Sequence, residues 1–97
     1  MRKITKKAIA AFMGGYNFSE GNTTVTVEPD VTTMSLFGNS IAWRYNDYEK
    51  QIYVSNAGWQ SNTTKERLNS IPGVRISQKN YQWYLNGQPW DGKKKLI

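Results

Sequence analysis

The sequence predicts an α+β fold. One antiparallel β-sheet, a meander plus C-terminal hairpins, is covered by an N-terminal helix and a second short helix at 63–71. Three observations carry this reading. Apolar residues recur at helical spacing over 3–14. Alternating segments fill 23–56, broken by Pro-Asp and Gly-Asn turn signals. Near the C-terminus, WYLNGQPWDG sets aromatic residues on both sides of an Asn-Gly pair.

The elements follow in order. Over 3–14, Ile4, Ala8, Ile9, Phe12 and Met13 form a stripe opposite lysines, and Gly14-Gly15 ends the helix. TTVTVE (23–28) places Val25 and Val27 on one face, and VTTMSLF (31–37) turns Met34 and Leu36 inward. A tight turn at Gly38-Asn39 leads to SIAWRYN (40–46), where Ile41, Trp43 and Tyr45 share a face. NDYEK (46–50) reads as a polar loop and QIYVSN (51–56) as a strand with Ile52 and Val54 together. Short loops between consecutive strands imply an antiparallel meander. Thr63-Thr64-Lys65-Glu66 has the form of a capping box opening the second helix. Thr64, Leu68 and Ile71 are its apolar stripe, Lys65 and Arg67 are expected to stay solvated, and Pro72-Gly73 stops it.

VRISQ (74–78) and NYQWYLN (80–86) form a further hairpin. With Asn86-Gly87 as a two-residue type I′ turn, Leu85 opposes Gln88, Tyr84 opposes Pro89 and Trp83 opposes Trp90. Tyr81, Trp83, Leu85 and Trp90 then share an apolar face, while Gln82, Tyr84, Pro89 and Asp91 share the other. Pro89 lacks an amide, so its segment must be a sheet edge.

At 97 residues the chain is expected to be a single domain, 1–97, with a basic tail at 93–97. It has no cysteine and no histidine, which excludes disulfides, thiol chemistry, Cys/His zinc sites and histidine acid–base catalysis. Its carboxylates are scattered through turns, and no nucleophile is paired with a base, so no catalytic residue, metal site or cofactor is expected. The opening imitates a secretory signal, but the apolar run Ala8–Met13 is shorter than the roughly 7–15 residues of such a region. A helix is expected instead, and no membrane association, because no stretch approaches the roughly 20 apolar residues of a span.

The net charge is +6, yet it belongs to the ends. Arg2, Lys3, Lys6 and Lys7 open the chain and Lys93, Lys94 and Lys95 close it; six positive side chains face seven acidic ones in between. If the ends converge, they make a positive pole that attracts phosphate. Two further surfaces suggest binding. The NAGWQSNTT loop combines Trp59, a helix N-terminus, Lys65 and Arg67, against which stands a purely structural reading with Trp59 plugging the core. A polar sheet face with Arg75, Lys79 and Tyr84, and Arg44 near it, would suit single strands that stack on an aromatic, or is an ordinary solvated face.

NAGWQSNTTKERLN (56–69) and QKNYQWYLNGQPWDG (78–92), with the opening RKITKKAIAAF, resemble a family of small tailed-bacteriophage proteins, a domain of unknown function. Pro89 departs from that pattern, where a strand residue is expected. The resemblance implies a phage origin and no particular activity, and it points to Trp59, Thr63, Thr64, Lys65, Arg67 and Asn69. The expectation is a non-enzymatic phage accessory protein in the host bacterial cytoplasm. It would bind nucleic acid or a nucleoprotein through the basic ends and the 59–67 loop-helix. The alternative is a protein-binding inhibitor of a host or anti-phage defence factor.

Overall fold

The computed structural model describes residues 2–46 and 51–97. Its order is α1 (Lys3–Gly14), β1 (Phe18–Glu20), β2 (Thr23–Val27), β3 (Val31–Leu36), β4 (Asn39–Tyr45), β5 (Ile52–Val54), α2 (Asn62–Asn69), β6 (Ile76–Lys79), β7 (Gln82–Leu85), β8 (Gln88–Pro89) and β9 (Lys95–Leu96). The α+β class with an N-terminal helix and C-terminal hairpins is as expected. The antiparallel strands divide into two sheets, ordered β1-β2-β3-β4-β5-β9 and β6-β7-β8. The polar loop read at 46–50 lies, beyond Asn46, outside the described residues.

Both helices and the small sheet turn their apolar sides onto one face of the large sheet. Ala8 and Phe12 of α1, Val25, Met34, Ala42 and Val54 of the large sheet, Leu68 and Ile71, and Trp83, Leu85 and Trp90 form one buried cluster. The helical stripe of α1 is rotated from the expected one. Thr5, Ala8, Ala11 and Phe12 are buried, while Met13 is exposed. Small residues let α1 approach the sheet, and Thr5 is buried because it has a polar partner there.

Among the described residues, three hairpins use two-residue loops with both residues at positive φ: Phe37-Gly38 (52°, 79°), Asn80-Tyr81 (51°, 68°) and Asn86-Gly87 (50°, 84°). This is the geometry that matches strand twist. The last one has the expected register, with Leu85 opposite Gln88 and Tyr84 opposite Pro89. The Trp90 amide donates to the Trp83 carbonyl at 2.9 Å, and the two buried indoles lie 6.4 Å apart. Pro89 is on the edge strand of its sheet. Tyr81, expected inside, occupies the hairpin tip and is 92% exposed.

The turn before β4 falls one residue earlier than Gly38-Asn39, at Phe37-Gly38. A bulge follows. Ser35 pairs with Ser40 and Met34 with Ala42, leaving Ile41 as the extra residue. Ile41 and Ala42 are therefore both buried, and Trp43 and Tyr45 pass to the outer face, not to the face of Ile41. The segment expected as a basic tail is folded, with Tyr53 opposite Leu96 and Val54 opposite Lys95.

Helix α2 starts earlier than the capping box suggested. Ser61 is the N-cap, and its hydroxyl accepts from the Thr64 amide at 3.2 Å. Glu66 is thereby released from capping. Ser61→Ala should lower unfolding free energy by about 1 kcal/mol, whereas Thr63→Ala should change it by less than about 0.5 kcal/mol. Urea unfolding of the two variants checks this; the reverse order would restore Thr63 as the cap.

Candidate functional site

The positive residues singled out in the sequence do not assemble into one surface. Arg67 is 1% exposed, not solvated. Its Nε donates to the Thr23 hydroxyl at 3.1 Å and its Nη1 to the Thr5 hydroxyl at 2.6 Å and to Glu66 at 2.5 Å. Lys65 donates to Gln78 at 3.0 Å and lies 5.6 Å from the Trp83 ring centre. Arg44 donates to the carbonyl of Phe12, a free acceptor in the last turn of α1, and so belongs to the inner face, away from Arg75. Arg75 and Lys79 are exposed, and Tyr84 is half-buried on the opposite side of its strand from Trp83.

The basic ends stay apart. Helix α1 packs over β1–β3, with Arg2 bonded to Glu66 at 2.9 Å, while β9 closes the far edge of the sheet. Lys93, Lys94 and Lys95 line an open groove of about 560 Å³ with Gln82, Pro89, Trp90 and Asp91. That groove gives a local positive surface, tempered by the Asp91 carboxylate.

Glu66 ties this interior together by accepting from Arg2, Thr5 and Arg67. The Thr5 hydroxyl is the main reason its carboxyl is held below the ordinary value, working against partial burial, with help from Arg2 and Arg67. Burial, and then the charge of Arg2, lower the affinity of Arg67 for its proton, and Glu66 opposes them. An arginine nevertheless keeps its charge.

The aromatic residues behave differently. Trp59 is 57% exposed and does not plug the core. The reason is the turn before it. Ala57 (φ 55°) and Gly58 (φ 82°) are both left-handed, and the Trp59 amide donates back to the Asn56 carbonyl at 2.8 Å. This loop is anchored from the other motif: the Asn56 amide and the Ser55 hydroxyl both donate to the Gly92 carbonyl, at 2.9 and 3.0 Å. A Cβ on Gly92 would overlap the Asn56 side chain. NAGW and WDG thus lock together, with Trp59 projecting outward.

Phe37 stands across from it, 67% exposed. Phe37 and Trp59 flank a pocket of about 200 Å³ whose floor is Leu36 and Ile41 and whose rim includes Asn56, Ser61 and Thr64. This is smaller than the roughly 300–1,000 Å³ of small-molecule sites and suits a single inserted side chain. Tyr81, at the β6–β7 tip, is exposed and does not line this pocket. Strand β6 runs antiparallel to α2, with Asn69 meeting Ile76 and Lys65 meeting Gln78. The Asn80-Tyr81 tip therefore lies beyond Gln78, toward the N-terminal end of α2. Sequence reading missed Phe37 because the turn was placed one residue later, and placed Tyr81 in the core.

Among the described residues, no group of three or more His, Cys, Asp or Glu side chains could hold a metal, and no helix is long and apolar enough to cross a membrane. The pocket offers an apolar floor flanked by the exposed rings of Phe37 and Trp59.

A family model described as Kyanoviridae Gp96 protein matches residues 1–96. No curated protein and no solved structure matches the chain.

The Glu66 network has a signed consequence. A carboxyl whose folded pKa is depressed contributes stability above its ordinary pKa, near 4.5, and that contribution is lost as pH falls through the folded value. Glu66→Gln should therefore be less stable than wild type at neutral pH, and the gap should narrow on acidification below about pH 4.5. Urea midpoints measured across that range check this; a gap independent of pH would contradict the assignment.

Proposed function

The chain belongs to the Kyanoviridae Gp96 protein family, a family of phage proteins, and from that premise we propose that it acts by binding a protein partner rather than by catalysis. The observation that carries this is the Phe37–Trp59 pocket. Tryptophan and phenylalanine beside a small apolar cavity are a set enriched where proteins bind one another, and tryptophan is among the residues that carry most binding energy. The positions are also costly for the fold. Phe37 takes the left-handed conformation that Asn or Gly adopts more cheaply, by roughly 1–2 kcal/mol, and gains no burial from it.

The charge of the surround indicates the partner's chemistry. Segments 36–41, 55–65 and 78–82 contain Lys65 and Lys79 and no carboxylate. The matching surface presents one aliphatic or aromatic side chain beside acidic residues. In an infected cell this is the surface of a host or defence protein in the bacterial cytoplasm, where the proposed activity takes place. The groove of Lys93, Lys94 and Lys95 favours a second reading, contact with nucleic acid, and the same experiment separates the two.

Phe37→Gly should leave stability unchanged or raise it by up to about 1 kcal/mol, because glycine is relaxed at that φ. It should also weaken capture of the host partner by at least about tenfold, as should Trp59→Ala. Pull-down from host lysate with and without nuclease, beside urea unfolding, reads both. Partner capture that survives Phe37→Gly and Trp59→Ala, or is lost entirely with nuclease, would contradict the proposal.

A further inference from the structure

A separate arrangement stands on the outer face of the large sheet, and it does not rest on the Phe37–Trp59 pocket. Trp43 and Tyr53 are direct cross-strand partners, and Tyr45 follows Trp43 on the same side of β4. The Tyr45 and Tyr53 rings meet edge to face, with centres 5.5 Å apart and planes at 81°. The three rings form walls around one point, and the ammonium of Lys94 sits there. Its Nζ is 4.4 Å from the Trp43 ring centre and 5.4 Å from each tyrosine centre, and it donates to the Tyr45 hydroxyl at 2.9 Å.

Rings attract cations through their negative faces, and a cage of tryptophan and tyrosines is the arrangement that selects ammonium groups. A primary ammonium is a poor match for such walls. It is strongly hydrated and has three N–H groups to satisfy. The Tyr45 hydroxyl takes one of them, and the ring faces that wall the site carry no lone pair for the others. A methylated ammonium carries the same charge without those N–H groups. Lys94 is also held by little. It precedes a two-residue edge strand, and such short terminal pairings open at small cost. We propose that Trp43, Tyr45 and Tyr53 form a binding cage for an organic ammonium group, methylated in preference to primary, with Lys94 as a built-in competitor occupying it at rest.

Choline is the probe, and its uncharged carbon isostere, with tert-butyl in place of trimethylammonium, is the control. The Trp43 indole N–H resonance reports occupancy. Lys94→Met keeps the aliphatic stem and removes the ammonium. It should bind choline at least about tenfold more tightly than wild type does, and at least about tenfold more tightly than it binds the isostere. Trp43→Leu added to Lys94→Met should abolish binding. Absence of choline binding by Lys94→Met, or equal binding of the isostere, would overturn the proposal. A second measurement serves if Lys94→Met does not fold. The chain has no cysteine, so Lys94→Cys can be alkylated at that position alone. A trimethylammonioethyl adduct should melt at a higher temperature than the uncharged adduct of the same shape; equal melting temperatures would overturn the cage.

Discussion

A buried guanidinium admits few arrangements. Arg67 is charged at any pH the protein meets, and taking such a group out of water costs several kcal/mol unless its donors are satisfied. Its donors reach Glu66 beside it, Thr5 on α1 and Thr23 on β2. One side chain thereby fixes the angle at which α2 meets both α1 and the large sheet. The burial of Thr5 and the rotation of the α1 stripe follow from that requirement, and Glu66, free of capping because Ser61 is the cap, is available to meet it. With α2 fixed, the hairpins after it are carried over the same core, and their tryptophans close it.

The same requirement changes the meaning of the net charge. Arg2 is bonded to Glu66, Arg44 terminates α1 by taking a last-turn carbonyl, and Lys94 rests among three rings. With Arg67, these positive side chains have partners within the molecule and are spread over its opposite sides, Arg67 alone among them being buried. The exposed aromatics show the converse. Phe37, Trp59 and Tyr81 each stand on or just after a tight turn with left-handed residues. Those turns are short, rigid platforms, so an aromatic there is held ready at little further entropy cost.

Much of this was legible in the residues. Asn86-Gly87 specifies a turn, the turn specifies the register, and the register buries Trp83 and Trp90; Pro89 marks the edge. Helix α1 was legible from its period, and the phage family from its motifs. The losses have particular causes. A bulge at Ile41 inserts one residue, and alternation after it is read with the wrong parity, so Trp43 and Tyr45 change faces. A turn displaced by one residue hides Phe37. Thr63 and Ser61 both resemble caps, and packing of α2 decides between them. The burial of Arg67 depends on partners 44 and 62 positions away, which no local pattern reports. For Trp59 the residues allow both a binding loop and a core plug, and the Ala57-Gly58 turn decides by sending it out.

Labour is divided inside one short segment: Arg67 serves the fold, and Trp59 is left outside it for the proposed partner. Equilibrium unfolding of Arg67→Ala beside Trp59→Ala tests it most directly. Arg67→Ala should lose about 3–5 kcal/mol, since removal leaves its buried partners unpaired, and Trp59→Ala should change stability by no more than about 0.5 kcal/mol. A mild effect at Arg67 together with a large one at Trp59 would contradict it.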